Sequence, residues 1–232
     1  MNKIIDFLSG TKVLAEMDSP INGHIVVKRD LAWGTYIQAS GLTQSGGVVY
    51  AAWKSVLRKI RNSNIEIRNC ITLGLGGGSI AKIVRKNWPK AKITGVEIDP
   101  IMVELGKRYI GLDKSGVKIV IGDAYKYITQ ISNVKTQKHN SKLKAEKFDL
   151  VCIDLYCGDK FPKKFGDKDF LRLVLGLLTP GGIAVFNRLY YGEKRPEAVK
   201  FGNKLEKFFA RVEWFYPEAN LMFLCSSKNT GI

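Results

Sequence analysis

The chain has 232 residues, 45% hydrophobic and 25% charged, which suits one globular domain with a small appendage. Lysine and arginine number 37 against 21 acidic residues, and the resulting charge of +16 reads either as attraction to an anionic partner or nucleic acid or as solubility alone, and it repels a polycation. No apolar run reaches the roughly 18 residues of a membrane span, "MNKIIDFLSG" is a poor signal peptide, and the scattered Cys70, Cys152, Cys157 and Cys225 form no CxxC pair, so no metal, no disulfide and a cytoplasmic location are expected.

In chain order, "KVLAEMD", "GHIVVKRD" and "AWGTYIQAS" are strand-like pieces separated by Ser19-Pro20 and Asn22-Gly23. They predict a small antiparallel sheet, and residues 1–43 are read as a separate N-terminal region. From about 45 to 61, Val49, Trp53, Val56, Leu57 and Ile60 recur at helical spacing. Strands and helices then alternate. "CITLGL" precedes a helix over 79–87, and "KITGVEI" precedes a helix that Asp99-Pro100 starts and that runs to about 110. "VKIVIG" precedes a helix from Asp123 to about 131. "SNVKTQKHNSKLKAEK", residues 132–147, reads as a solvated lysine-rich insertion. "FDLVCID" is followed by a helix over about 167–178 and by the strand "GGIAVFN". Val199, Phe201, Leu205, Phe208 and Phe209 mark a last helix, and "RVEWFY" with "NLMFLCS" predicts a closing hairpin. Apolar strands alternating with helices predict an α/β fold with a doubly wound, mostly parallel sheet over residues 44–232.

In such sheets ligands bind beyond the carboxyl ends of the strands. Gly74, Gly76 and Gly78 form G-x-G-x-G at the first strand end, and Gly77 strips one more side chain, so a ligand can lie against the backbone. Glu97 ends the second strand, where a carboxylate accepts ribose hydroxyls. Asp123, followed by Ala124, ends the third and suits an adenine amino group or a helix cap. A dinucleotide fingerprint wants glycine or alanine where Ser79 stands, so S-adenosylmethionine is the expected ligand. Asp154 ends the fourth strand and is the candidate base, with Tyr156 beside it. Asp159, Asn187 and Arg188 are weaker substrate candidates, and His24 and His139 read as bystanders.

"LGLGGGSIAKIV", "GVEIDPIMVELGKRYIGL", "VIGDAYKYI", "FDLVCIDLYCGDKFP" and "LTPGGIAVFN" resemble, in order and spacing, the spermidine synthase family and its methyltransferase relatives. The resemblance implies a class I methyltransferase fold (Rossmann-like), homodimers, and S-adenosylmethionine or decarboxylated S-adenosylmethionine in the glycine site. It also implies that Gly74, Gly76, Gly78, Glu97 and Asp123 bind the cofactor, that Asp154 is the family's catalytic acid, and that Tyr50 matches its Y-x-E tyrosine. Three family acids are missing, their positions being Gly77, Ala52 and Cys157. Their loss weakens a polyamine pocket, because desolvated amines need carboxylate partners. The reading is therefore methyl transfer to an unidentified acceptor. The alternatives are aminopropyl transfer and a non-catalytic nucleotide- or nucleic-acid-binding protein.

Overall fold

The computed structural model describes residues 10–132 and 146–227, so most of the lysine-rich stretch lies outside the described residues. Strands β1 (Lys12–Ser19), β2 (Gly23–Asp30), β3 (Gly34–Ala39) and β4 (Leu42–Gly46) form an antiparallel sheet in that order. The polar β4, "LTQSG", carries this sheet across residue 43 and up to the next helix. That helix, α1 (Gly47–Asn62), buries Trp53, Val56, Leu57 and Ile60 of the predicted stripe together with Ala52, while Val49 packs half-buried against the same core.

The rest alternates β5 (Asn69–Leu73), α2 (Ser79–Asn87), β6 (Lys92–Glu97), α3 (Pro100–Leu105), β7 (Val117–Ile121), α4 (Ala124–Ser132), β8 (Phe148–Ile153), α5 (Lys168–Leu177), β9 (Leu178–Leu189) and α6 (Lys194–Leu205). The hairpin of β10 (Arg211–Phe215) and β11 (Asn220–Ser226) closes the chain. The large sheet has the order β10-β11-β9-β8-β5-β6-β7, parallel except for β11, which runs antiparallel to both its neighbours. β5 is buried on both sides. Cys70 faces a core shared with α1 and α2, and Ile71 and Leu73 face a core shared with α4, α5 and α6.

Two predicted helices differ. The helix expected to reach residue 110 ends at Leu105 and loosens into a π-type turn over Gly106–Ile110. There Gly106 lies so close to Gly77 that a Cβ on it would sit 2.6 Å from the Gly77 backbone. The last helix stops at Leu205, and Phe209 is buried from the turn that follows.

The small sheet is fastened to the large domain. Its Ile25, Val27, Ile37 and Ala39 share a core with Met102 and Leu105 of α3 and with Ile110. Asp99, fully buried, caps α3 by accepting from the Ile101 N–H at 2.9 Å. Its other oxygen accepts from Ser19 Oγ at 2.5 Å and Asn22 Nδ2 at 2.6 Å. One carboxylate thus serves a helix start and the β1–β2 turn. Asp99→Ala loses the cap and strands the buried Ser19 hydroxyl and the half-buried Asn22 amide, so it should lower unfolding free energy by about 2–4 kcal/mol in denaturant titration. Ser19→Ala should cost less, because Asn22 still reaches the carboxylate.

Candidate active site

A cavity of about 460 Å³ opens at the carboxyl ends of the strands, under the small sheet. Gly74 and Gly76, which form its floor, have φ of +86° and +54°. A Cβ on Gly74 would meet the Asp154 carbonyl oxygen at 2.1 Å, so this glycine lets β5 and the end of β8 touch. Gly78 (φ +94°) does not line the cavity. It starts α2 and packs on Leu112. Ser79 Oγ then ties α2 to the small sheet, accepting from the Gly46 N–H at 2.7 Å and lying 2.9 Å from Ser45 Oγ.

Glu97 is 8% exposed. Burial pushes its carboxyl above the ordinary range, opposed by hydrogen bonds from the backbone N–H groups of Asp99, Gly76 and Ile98. Beside it Ile98 lines the cavity with 47% of its surface open, an apolar face suited to a planar base. Asp123 and Ala124 line the same end. Asp123 accepts from the Lys126 N–H as a cap and pairs with Lys164 Nζ at 2.5 Å. Burial alone would raise its pKa, but Lys164 and the backbone donors outweigh it and lower the value.

At the other end Asp154 is held from two sides. Trp53 Nε1 of α1 donates to one oxygen at 2.7 Å, and Asn187 Nδ2 of β9 donates to the other at 2.8 Å. Burial still raises the Asp154 pKa against both bonds. Asn187 Oδ1 is buried without a partner among the described residues, an acceptor left open in the cavity wall. Tyr156 lines the wall but spends its hydroxyl on β9, accepting from the Leu189 N–H at 2.8 Å and donating to the Asn187 carbonyl at 3.3 Å. Burial holds its proton well above the ordinary tyrosine range, and both of its hydroxyl bonds go to the β9 backbone.

The remaining candidates lie elsewhere. Tyr50 packs against the α1–α2 core, Asp159 pairs with Lys194 at 2.8 Å, and Arg188 stacks over the Phe161 ring at 4.1 Å. His24 pairs with Glu16 and Asp18 on the small sheet, and His139 lies outside the described residues. Trp53, Ile98, Lys164 and the exposed Glu218 complete the site. Trp53 is disguised by its place in a perfect apolar stripe. Lys164 sits in a single 3-10 turn (Lys163–Gly166) and Glu218 in the turn of the closing hairpin, neither long enough to show a period. The cavity is lined by four carboxylates (Glu97, Asp123, Asp154, Glu218) and one lysine, although the chain carries +16. Such a lining favours a cationic ligand.

Residues 59–219 match the family model described as the spermine/spermidine synthase domain. The chain belongs to that family. It is 28% identical over 179 residues to the mouse eEF1A lysine and N-terminal methyltransferase, covering 73% of this chain and 24% of that protein. It is 29% identical over 125 residues to a polyamine aminopropyltransferase of Vibrio vulnificus, covering 53% and 38%. This chain therefore spans well under half the length of either relative. The fold matches spermidine synthase from Thermotoga maritima with a TM-score of 0.75 at 16% identity, over 95% of this chain and 75% of that one. It also matches human methyltransferase-like protein 13, solved with SAH, at 0.60 and 22% identity, over 79% and 82%.

Against the family pattern, Gly77 stands where an acid is expected, and its surroundings are tight. A Cβ there would meet Ile37 Cδ1 at 2.8 Å and Ser45 Oγ at 3.0 Å, with Gly106 close by. Cys157, the exposed thiol in place of another acid, lies 3.8 Å from the Ile21 carbonyl.

The raised Asp154 pKa fixes two signs. An acid whose folded pKa exceeds its unfolded value loses stability as pH rises from the unfolded pKa through the folded one. Asp154→Asn should therefore melt no lower than the parent at neutral pH in a thermal scan. Trp53→Phe removes a bond that favours the ionised form, so it should raise the Asp154 pKa further. The acid limb of the activity profile should then move to higher pH, with donor affinity unchanged.

Proposed function

We propose that the chain is an S-adenosylmethionine-dependent methyltransferase acting on an unidentified nucleophilic acceptor. The observation that carries this reading is the crowded Gly77. An acid at that position would pair with the amine of a decarboxylated donor and repel the carboxylate of the intact one. Position 77 carries no such side chain, and a Cβ there would press on Ile37 and Ser45. The unpartnered Asn187 Oδ1, the apolar Ile98 face and the acid-lined cavity suit an adenosine ligand carrying a positive sulfonium.

Bound adenosylmethionine supplies an electrophilic methyl group. Every other task falls to the chain. Glu97, which keeps lone pairs beyond its backbone bonds, accepts the ribose hydroxyls. Ile98, Asp123 and Ala124 hold the base. Asp154, oriented by Trp53 and Asn187, takes the acceptor's proton or holds its positive charge. Alignment of acceptor and methyl group supplies the remainder of the rate. Aminopropyl transfer is the second reading, favoured by the retained Asp154 and by the open Glu218 carboxylate at the rim. A homodimer follows from the family resemblance. The free buried thiols Cys70, Cys152 and Cys225 agree with a cytoplasmic setting.

Calorimetry with both donors tests the reading. Intact adenosylmethionine should bind at least tenfold tighter than the decarboxylated form, since a charge-assisted contact is worth about 1.5–3 kcal/mol. The reverse order would establish aminopropyl transfer. Glu97→Ala should abolish donor binding while the protein stays folded. With labelled donor and a screened acceptor, Asp154→Asn should reduce turnover about 10²–10⁴-fold and leave donor affinity within a few-fold. Tight donor binding with no acceptor modified in the screen would favour the non-catalytic alternative.

A further inference from the structure

One face of the molecule carries basic residues with no acidic residue on its two helices, α1 and α2, which share one face of the large sheet. Lys54, Arg58 and Arg61 are exposed on α1 at spacings of four and three, and Lys82 and Lys86 are exposed on α2 at a spacing of four. Like charges at these spacings repel along a helix. Next to α2, the segment from Gly106 to Ser115 adds Lys107, Arg108 and Lys114. A cleft of about 640 Å³ separates it from Lys82 and Arg85, with Asp113 as the one acid in its lining. Arg85 fixes the cleft walls by donating to the carbonyls of Ser115, Gly116 and Pro89. Arg108 pairs with Glu104. Among the described residues, Lys54, Arg58, Arg61, Lys82, Lys86, Lys107 and Lys114 make no ion pair.

We propose that this α1–α2 face docks the phosphate backbone of duplex nucleic acid. Protein partners are gripped by aromatic and apolar anchors. The exposed large hydrophobic side chains of the described residues lie outside α1, α2 and the 106–115 segment. Single strands need a row of exposed aromatic platforms for their bases, and here the cleft lining carries one aromatic among the described residues, the half-buried Tyr109. A duplex backbone needs only an array of cations. The four carboxylates of the cavity repel phosphate, so the duplex lies beside the cavity and not in it. The surface is a docking site, and the proposal holds whichever group the cavity transfers.

Fluorescence anisotropy with a 20-base-pair RNA duplex over a salt series tests this without any donor. Affinity should fall steeply with salt, the slope of log K against log[salt] being about −0.9 per phosphate contacted. Lys54→Gln/Arg58→Gln/Arg61→Gln should weaken binding at least tenfold and reduce that slope by about three. A charge-matched control on the opposite face, Lys168→Gln/Lys200→Gln/Lys207→Gln, should change neither by more than a few-fold; these three lysines are exposed on or beside α5 and α6. Equal losses in the two variants would overturn the proposal in favour of net charge alone. So would a failure to bind the duplex at about 50 mM salt, or tighter binding of polyglutamate or of phosphatidylserine vesicles. Donor affinity measured on each variant separates loss of docking from loss of fold.

Discussion

The Asp99 carboxylate is the point on which the two sheets meet. Its helix-capping role is visible in Asp99-Pro100, but its hydrogen bonds to Ser19 and Asn22 hold the small sheet in place. Because of that attachment, the β1–β2 turn and β4 lie over the glycine turn and enclose the cavity. A buried carboxylate with three donors is stable where an unpaired one is not. The roof of the site is therefore built by the same bonds that start α3.

With the roof in place, Gly77 is trapped between Ile37 and Ser45 on one side and Gly106 on the other. The missing side chain is thus a packing condition and not only a lost ligand group. Gly106, the first residue of the π-type turn, is the point of closest approach to Gly77. Charge follows the same division of labour. Four carboxylates line the cavity, and α1 and α2 outside it carry exposed cations without an acidic residue.

Most of the fold was legible because burial imposes a period. The α1 stripe, the double-sided burial of β5 and the closing hairpin all follow from apolar spacing. The polar β4 was not legible, since it is set by pairing with β3 and by Ser79 Oγ. Within the site, the strand-end positions of Gly74, Gly76, Glu97, Asp123 and Asp154 could be read from the alternation of elements. Contacts between distant segments could not. Trp53 reaches Asp154 across 101 residues, and its apolar surroundings hid the one polar atom that matters. Tyr156 sits where the sequence placed it, but only geometry shows its hydroxyl spent on the β9 backbone.

Cys157 gives the cavity a chemical handle. Cys70, Cys152 and Cys225 are fully buried, and burial raises the thiol pKa of Cys152 and Cys225 far above the ordinary value. Cys157 is exposed at the rim, where the loop after β8 approaches the β1–β2 turn. A bulky thiol reagent therefore meets one accessible sulfur, positioned where a ligand enters. A fluorophore attached there would report filling of the cavity and movement of its roof in the unaltered sequence, with no cysteine to add or remove.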